Sequence, residues 1–265
     1  MDRLITCTPR RLPPRLRVKA AVHAVDMYAA NLPAGISIDD LTSGDRSGDD
    51  DAARLSIMVD KWWGGSVDLT VGFLDGPSRE LRDRILLHMN AWGRDAAVRF
   101  HEADTDPVVR VARLTENDAP GFGGFWSYEG TDVSLIPGDE PTLNLEGFTM
   151  RTPESEFHRV VRHEAGHTLG FPHEHLRGAL IARLDPEKVI AAYMRSQGWS
   201  EQEVVDQILT PLEESSIFGT TITDQTSIMC YQIDGDLTLD GTPILGGLDI
   251  NELDHSFAAQ VYPRL

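Results

Sequence analysis

Cysteine is almost absent from this chain. Cys7 and Cys230 are the only two among 265 residues, so at most one intrachain disulfide can form, which excludes the cross-linked framework of small secreted domains. Long apolar runs are missing as well. No stretch reaches membrane-spanning length, and Met1 to Cys7 leads into Arg10, Arg11, Pro13 and Pro14 without the apolar core of a secretory leader. As written, the sequence reads as cytoplasmic, with export by another route left open. Positive charge is scarce: 24 Lys and Arg face 42 Asp and Glu, a net charge of −18 at pH 7. So acidic a surface repels nucleic-acid phosphates and anionic lipid, and neither nucleic acid nor a membrane is an expected partner. The composition says nothing of oligomeric state.

What is present is a chain of 29.3 kDa with 41% hydrophobic residues, enough to bury a large core. Its charge is uneven. Arg3, Arg10, Arg11, Arg15, Arg17 and Lys19 crowd the first twenty residues against Asp2 alone. This divides the chain into a basic arm over residues 1–34, a Gly/Ser/Asp-rich linker over 35–54 and a main domain over 55–265. The spacing of Leu16, Ala20, Val22 and Met27 predicts a short helix in the arm. Asp49-Asp50-Asp51 lacks the alternating acidic spacing of a calcium loop and reads as solvated.

In the main domain Val67, Leu69, Val71 and Phe73 alternate as a half-buried strand does, and Ser78 caps a helix with Leu81, Ile85, Met89 and Trp92 on one face. Short strands are expected at 98–100, 108–111 and 132–136. Gly121-Phe122-Gly123-Gly124 lacks the lysine of a phosphate-binding loop and reads as a turn. Thr152 and Pro153 read as N-cap and first residue of a helix whose stripe Phe157, Val160, Val161, Ala165 and Leu169 runs to Gly170. Beyond it, helices are expected from Asp185-Pro186, from the capping box Ser200–Glu203, and from a second box Asp249–Glu252 that turns Leu253, Phe257 and Val261 inward.

The helix over 153–170 carries the chemistry. His163 and His167 lie four residues apart, so both imidazoles leave one face at a separation that a single metal ion bridges. Gly170 can turn the chain back in the left-handed conformation, letting His173 complete a three-histidine site with one open position. Neutral imidazoles suit zinc, and Glu164 beside them is placed to take a proton from metal-activated water.

These residues form HExxHxxGxxH, and with Ser227-Ile228-Met229-Cys230-Tyr231 downstream the sequence resembles the metzincin metallopeptidases. Glu174 and Arg177 after the third histidine, Tyr231 two after Met229, and Phe125-Trp126-Ser127-Tyr128-Glu129-Gly130 resemble the astacin family most closely. The resemblance implies an α+β, zincin/metzincin-like fold. In it a twisted mixed sheet and the active-site helix form an N-terminal subdomain, facing a mainly helical and irregular C-terminal subdomain across a cleft near 170–173. It implies one catalytic zinc on His163, His167 and His173, Glu164 as general base, Tyr231 as oxyanion donor and Met229 as an apolar floor under the metal. The expected activity is zinc endopeptidase on protein or peptide substrates, with an edge strand at 131–136 as the substrate's pairing partner. An inactive metal-binding relative that only binds protein, or a zinc hydrolase of non-peptide amides, would carry the same residues. Departures from the family are the missing second disulfide, Gly178-Ala179-Leu180 after Arg177, and Ser43-Gly44-Asp45 without a preceding aromatic. His175 reads as a supporting or surface residue and His158 as exposed. Cys7 in its basic segment suggests a thiolate that blocks the open zinc position; a frayed or surface-docked arm is the simpler alternative.

Overall fold

The computed structural model describes residues 7, 10–42, 58–211 and 223–264. Val67, Leu69 and Val71 are buried on alternate positions of β1 (Val67–Phe73), as their period-two spacing dictates. β1 sits between two parallel neighbours, β2 (Val98–Glu102) and β3 (Val109–Ala112). β5 (Leu143–Leu145) adds in parallel to β3, and β4 (Phe125–Ser127) pairs antiparallel with β5 to close the order β2-β1-β3-β5-β4. β4 is therefore an edge strand.

Helix α1 (Pro14–Met27) lies in the arm and buries Ala20, Ala21, Ala24 and Val25. Its small residues let it lie close to the 3-10 turn at Gly130–Leu135. The stretch expected to be linker contains a short α2 (Ile38–Thr42) whose Leu41 is fully buried against Ala21 and Ala24, while residues 43–54, with the Asp49–Asp51 run, lie outside the described residues. α3 (Arg79–Met89) starts where Ser78 accepts a hydrogen bond from the Leu81 amide, and it packs Leu81, Ile85 and Met89 into the main core.

The helix α4, which carries His163 and His167, spans 154–168, with a π turn at Phe157–Val161 between Glu154–Glu156 and Arg162–Thr168. Its stripe is buried as spaced: Phe157, Val161, Ala165 and Leu169 are each 0% exposed, and the larger of them contribute about 1.5–3 kcal/mol apiece. Beyond the cleft, α5 (Pro186–Gln197) and the helix α6 over 201–209 enclose a second core with Tyr193, Val204, Ile208, Ile233 and Ile244. α7 (Glu252–Val261) then returns to the first core. After it, the Tyr262 carbonyl accepts from the Ala97 amide at 2.8 Å, while its hydroxyl donates to the Leu169 carbonyl at 2.5 Å.

Several expectations are corrected. Residues 132–136 are not a strand: Gly130 takes φ +47°, Thr131 donates its amide to the Lys61 carbonyl, and the segment coils into the 3-10 turn. The sheet edge expected at 131–136 is β4, where the FWS triplet lies. Pro153 is the N-cap of α4, and the Thr152 hydroxyl instead accepts from the Thr149 amide. The last capping box is Asn251 with Asp254, because Asp249 is held by His158 and Arg162. That two-residue shift leaves Leu253 47% exposed and turns Asp254 and Ala258 inward.

Candidate metal centre

Three ring nitrogens converge at the end of α4. His173 Nε2 lies 3.1 Å from His163 Nε2 and 3.0 Å from His167 Nε2. The turn that achieves this is Gly170, at φ +87°, where an added Cβ would stand 2.9 Å from the Lys61 carbonyl oxygen. Only glycine fits there without strain.

The other nitrogen of each helical histidine is fixed. His163 Nδ1 is 2.6 Å from the Ile228 carbonyl and His167 Nδ1 is 2.8 Å from the Phe171 carbonyl. Carbonyl oxygens only accept, so both protons sit on Nδ1 and both Nε2 atoms present bare lone pairs. His173 can donate to at most one of them. A buried acceptor-to-acceptor contact therefore remains, and a cation held by the three nitrogens relieves it. Burial holds all three rings neutral: it pushes His163 down to about 4, and His167 and His173 well below the ordinary histidine range. Three neutral imidazoles converging in this way fit zinc.

The support beneath the rings joins residues of the motifs to Asp254, Trp63 and Asp224, which the sequence pattern did not single out. Asp254 accepts from the Ser227 hydroxyl at 2.5 Å and the Ile228 amide at 3.0 Å, and so holds the residue whose carbonyl orients His163. Ser227 Oγ also accepts from the Met229 amide. Met229 packs against Gly166, where an added Cβ would meet its Sδ at 2.5 Å and Trp92 Cζ2 at 2.9 Å. Trp92 and Trp63 brace α4 by donating their indole N–H to the Arg162 and Thr168 carbonyls. Glu174 donates its amide to the Met229 carbonyl, accepts from the Asp224 amide and pairs with Arg177 at 3.1 Å.

Glu164 is 1% exposed, and burial raises its carboxyl to about 8, against the opposing pull of Cys7 and Arg159. Cys7 Sγ donates to Glu164 Oε2 at 3.1 Å, and burial, reinforced by that carboxylate, raises the thiol well above its ordinary range. The Tyr231 hydroxyl donates to the Cys7 carbonyl. The Cys7 Sγ also lies within 4.8 Å of the ligand atoms of all three histidines. Cys7 and Arg10 form parallel bridges to Phe125 and Tyr128, the Arg10 amide donating to the Ser127 carbonyl, so the arm runs along β4. Arg10 also covers the Trp126 and Phe122 rings at 4.1 and 4.3 Å. His175 is wholly buried and stacks on Tyr231 at 4.1 Å, its Nε2 3.2 Å from the Gln207 carbonyl. His158 is half-buried rather than exposed. Gly121 and Gly123 cradle the Glu116 carboxylate. Beside the site opens a cleft of about 610 Å³ lined by Glu164, Tyr231, Arg159, Arg195, Leu245 and Leu248.

No protein-family model matches the chain. Among curated proteins it resembles zinc metalloproteinase nas-27 of Caenorhabditis elegans, at 33% identity over 103 residues, 38% of this chain and 20% of that protein. The chain thus matches about a fifth of the length of that relative, 20%. Among solved structures it superposes on myroilysin with a TM-score of 0.70 and 32% identity, over 78% of this chain and 97% of that one. The chain belongs to the astacin-like metzincin zinc proteases. A second myroilysin structure gives this metzincin a TM-score of 0.57 at 30% identity, over 77% and 86% of the two chains. High choriolytic enzyme 1, a hatching enzyme zinc-protease from Oryzias latipes, shares the fold at a TM-score of 0.50 and 19% identity, over 75% and 92%. The metzincin fold, with its sheet, active-site helix and zinc-type histidine cluster, is that of the family.

Proposed function

We propose that this metzincin is a zinc endopeptidase described here in a latent form. The reading rests on one observation: the three Nε2 atoms converge beside a buried glutamate and a tyrosine hydroxyl that already grips a peptide carbonyl. Zinc held by His163, His167 and His173 supplies Lewis-acid polarisation of the scissile carbonyl and a more acidic attacking water. Glu164 takes the proton from that water at one carboxylate oxygen and passes it to the leaving amine. Tyr231 donates its hydroxyl to the carbonyl oxygen as charge develops there, as it now does to the Cys7 carbonyl. An extended substrate pairs with the edge strand β4.

In the latent form the arm occupies all three of these positions. Cys7 engages Glu164 and faces the histidines, its carbonyl takes the Tyr231 hydroxyl, and residues 7 and 10 use the β4 edge. The intact Glu164 favours a peptidase over a binding-only relative, which has no use for a base. Cleavage profiling of a denatured peptide library tests the activity, with wild type and Glu164→Ala freed of residues 1–34 and carrying equal zinc. Peptide-bond cuts by wild type alone support it, and no cuts from zinc-loaded enzyme refute it. Latency is tested in the full-length chain, where Cys7→Ala raises activity; an unchanged rate reduces the arm to a docked tail.

A further inference from the structure

A second group of metal-ligand atoms gathers where α3 ends and α4 begins. His88, Glu154 and His158 each bring one ligand atom within 4.8 Å of the others. His88 Nε2 lies 3.1 Å and His158 Nε2 3.6 Å from the same oxygen, Glu154 Oε1. Ligands arranged tetrahedrally at about 2.0–2.1 Å from a zinc ion stand roughly 3.4 Å apart, so the spacing already suits one ion.

The environment points the same way. His88 is 1% exposed, and among the described residues its Nε2 meets only Glu154 Oε1, at 3.1 Å and out of line for a hydrogen bond. A buried ring nitrogen without an aligned hydrogen bond is unusual. His158 Nδ1 lies 2.7 Å from Asp249 Oδ2, which places the proton on Nδ1 and leaves the Nε2 lone pair facing Glu154, with Arg162 Nη2 donating to it weakly at 3.4 Å. That carboxylate–histidine arrangement is how proteins orient imidazole metal ligands. Arg84 occupies Glu154 Oε2 and leaves Oε1 available. The charged groups facing the cluster are Arg84 and Arg162 against Glu154 and Asp249, so the carboxylates offset the arginines. Loading the two histidines at Nε2 moves the His88 proton to Nδ1 and sacrifices two long contacts from Arg162, Nε to His88 at 3.3 Å and Nη2 to His158 at 3.4 Å, while Arg162 keeps its 2.5 Å bond to Asp249.

We propose that His88, Glu154 and His158 form a second divalent-cation site, of the nitrogen-rich type that zinc prefers, which ties α3 to the first turn of the active-site helix. Two imidazoles and one carboxylate select against calcium and magnesium, which want oxygen. With one ligand fewer than a closed structural site and two arginines nearby, it binds more weakly than the three-histidine centre.

The test counts zinc bound to the full-length chain by equilibrium dialysis and elemental analysis across a zinc titration. Wild type is expected to reach two equivalents, and Glu154→Gln and His158→Gln one each. Glu154 is 58% and the His158 side chain 32% exposed, so neither change empties the core. His167→Ala, which damages the three-histidine centre, is expected to retain a zinc equivalent that the added His158→Gln removes. Thermal unfolding should show a zinc-dependent rise in His167→Ala that the double variant lacks. Wild type saturating at one equivalent, or either single variant still taking two, overturns the proposal.

Discussion

Replacing Gly170 by alanine strains the turn that delivers the third histidine. At φ +87° an L-residue costs about 1–2 kcal/mol. The new Cβ would also meet the Lys61 carbonyl oxygen at 2.9 Å, its carbon at 3.0 Å and Trp62 Cδ1 at 3.1 Å. Two of those atoms are backbone and cannot rotate away, so overpacking adds about 1–3 kcal/mol. The sum, about 2–5 kcal/mol, is a large part of a typical domain's stability and lowers the melting temperature of a chain this size by roughly 5–10 °C. Because Phe171 and Gly170 donate their amides to Gly166 and His167, the strain also moves the segment that carries His173, and zinc affinity falls with stability. Gly198 is the internal control: its φ is +73° but a Cβ there meets nothing within 4 Å. Gly198→Ala should cost about 1 kcal/mol, from the backbone alone, and leave zinc affinity untouched. Urea denaturation and competition with a chromophoric chelator measure both quantities. Equal stability losses in the two variants, or an unchanged zinc affinity in Gly170→Ala, would refute the argument.

Three further outcomes follow from the same contacts. Asp254→Asn turns one of the two oxygens that accept from Ser227 and Ile228 into a donor, and should destabilise by about 1–3 kcal/mol and weaken zinc binding; calorimetric titration with zinc would contradict this by returning wild-type affinity. Tyr231→Phe in enzyme freed of the arm should lower kcat about 10²-fold or more with little change in KM, whereas a drop confined to KM would argue against an oxyanion role. Asp60 is raised to about 8, by burial first and Glu129 second, so the folded state holds its proton more tightly than the unfolded chain. Its contribution to stability is complete below the ordinary carboxylate range and is lost as pH rises towards about 8. Asp60→Asn should therefore match wild type near pH 4 and exceed it above pH 8 by about 1–2 kcal/mol after allowance for solvent screening; melting curves differing by a pH-independent offset would sink this account.

What the sequence made legible was whatever local spacing controls. The alternation in β1, the stripe of α4 and the separation of His163 from His167 are set within a few residues, and the structure repeats them. The failures share a different origin. Asp249 and Asn251 are both good N-cap residues two positions apart, and the choice falls to Asn251 because His158 and Arg162, about ninety residues away, hold Asp249. Residues 132–136 have the composition of a strand, but the Lys61 carbonyl takes the Thr131 amide that pairing would need. His175 looked like one more polar residue after the motif, and only the arrival of α6 with the Gln207 carbonyl buries it against Tyr231. Cys7 could be suspected from charge, but its place beside Glu164 depends on contacts 157 residues apart.

The hold of Tyr262 on the far end of α4 gives the site a fixed order in time. Synthesis runs from the N-terminus, so the segment bearing Cys7 leaves the ribosome before any histidine of the centre is made. The hydroxyl that secures the Leu169 carbonyl arrives only after every ligand has been translated. The segment that contacts Glu164 thus precedes the histidines, and the C-terminal brace follows them. A nascent chain interrupted anywhere short of residue 262 lacks the anchor at the end of α4, so the centre is braced only once Tyr262 has been added.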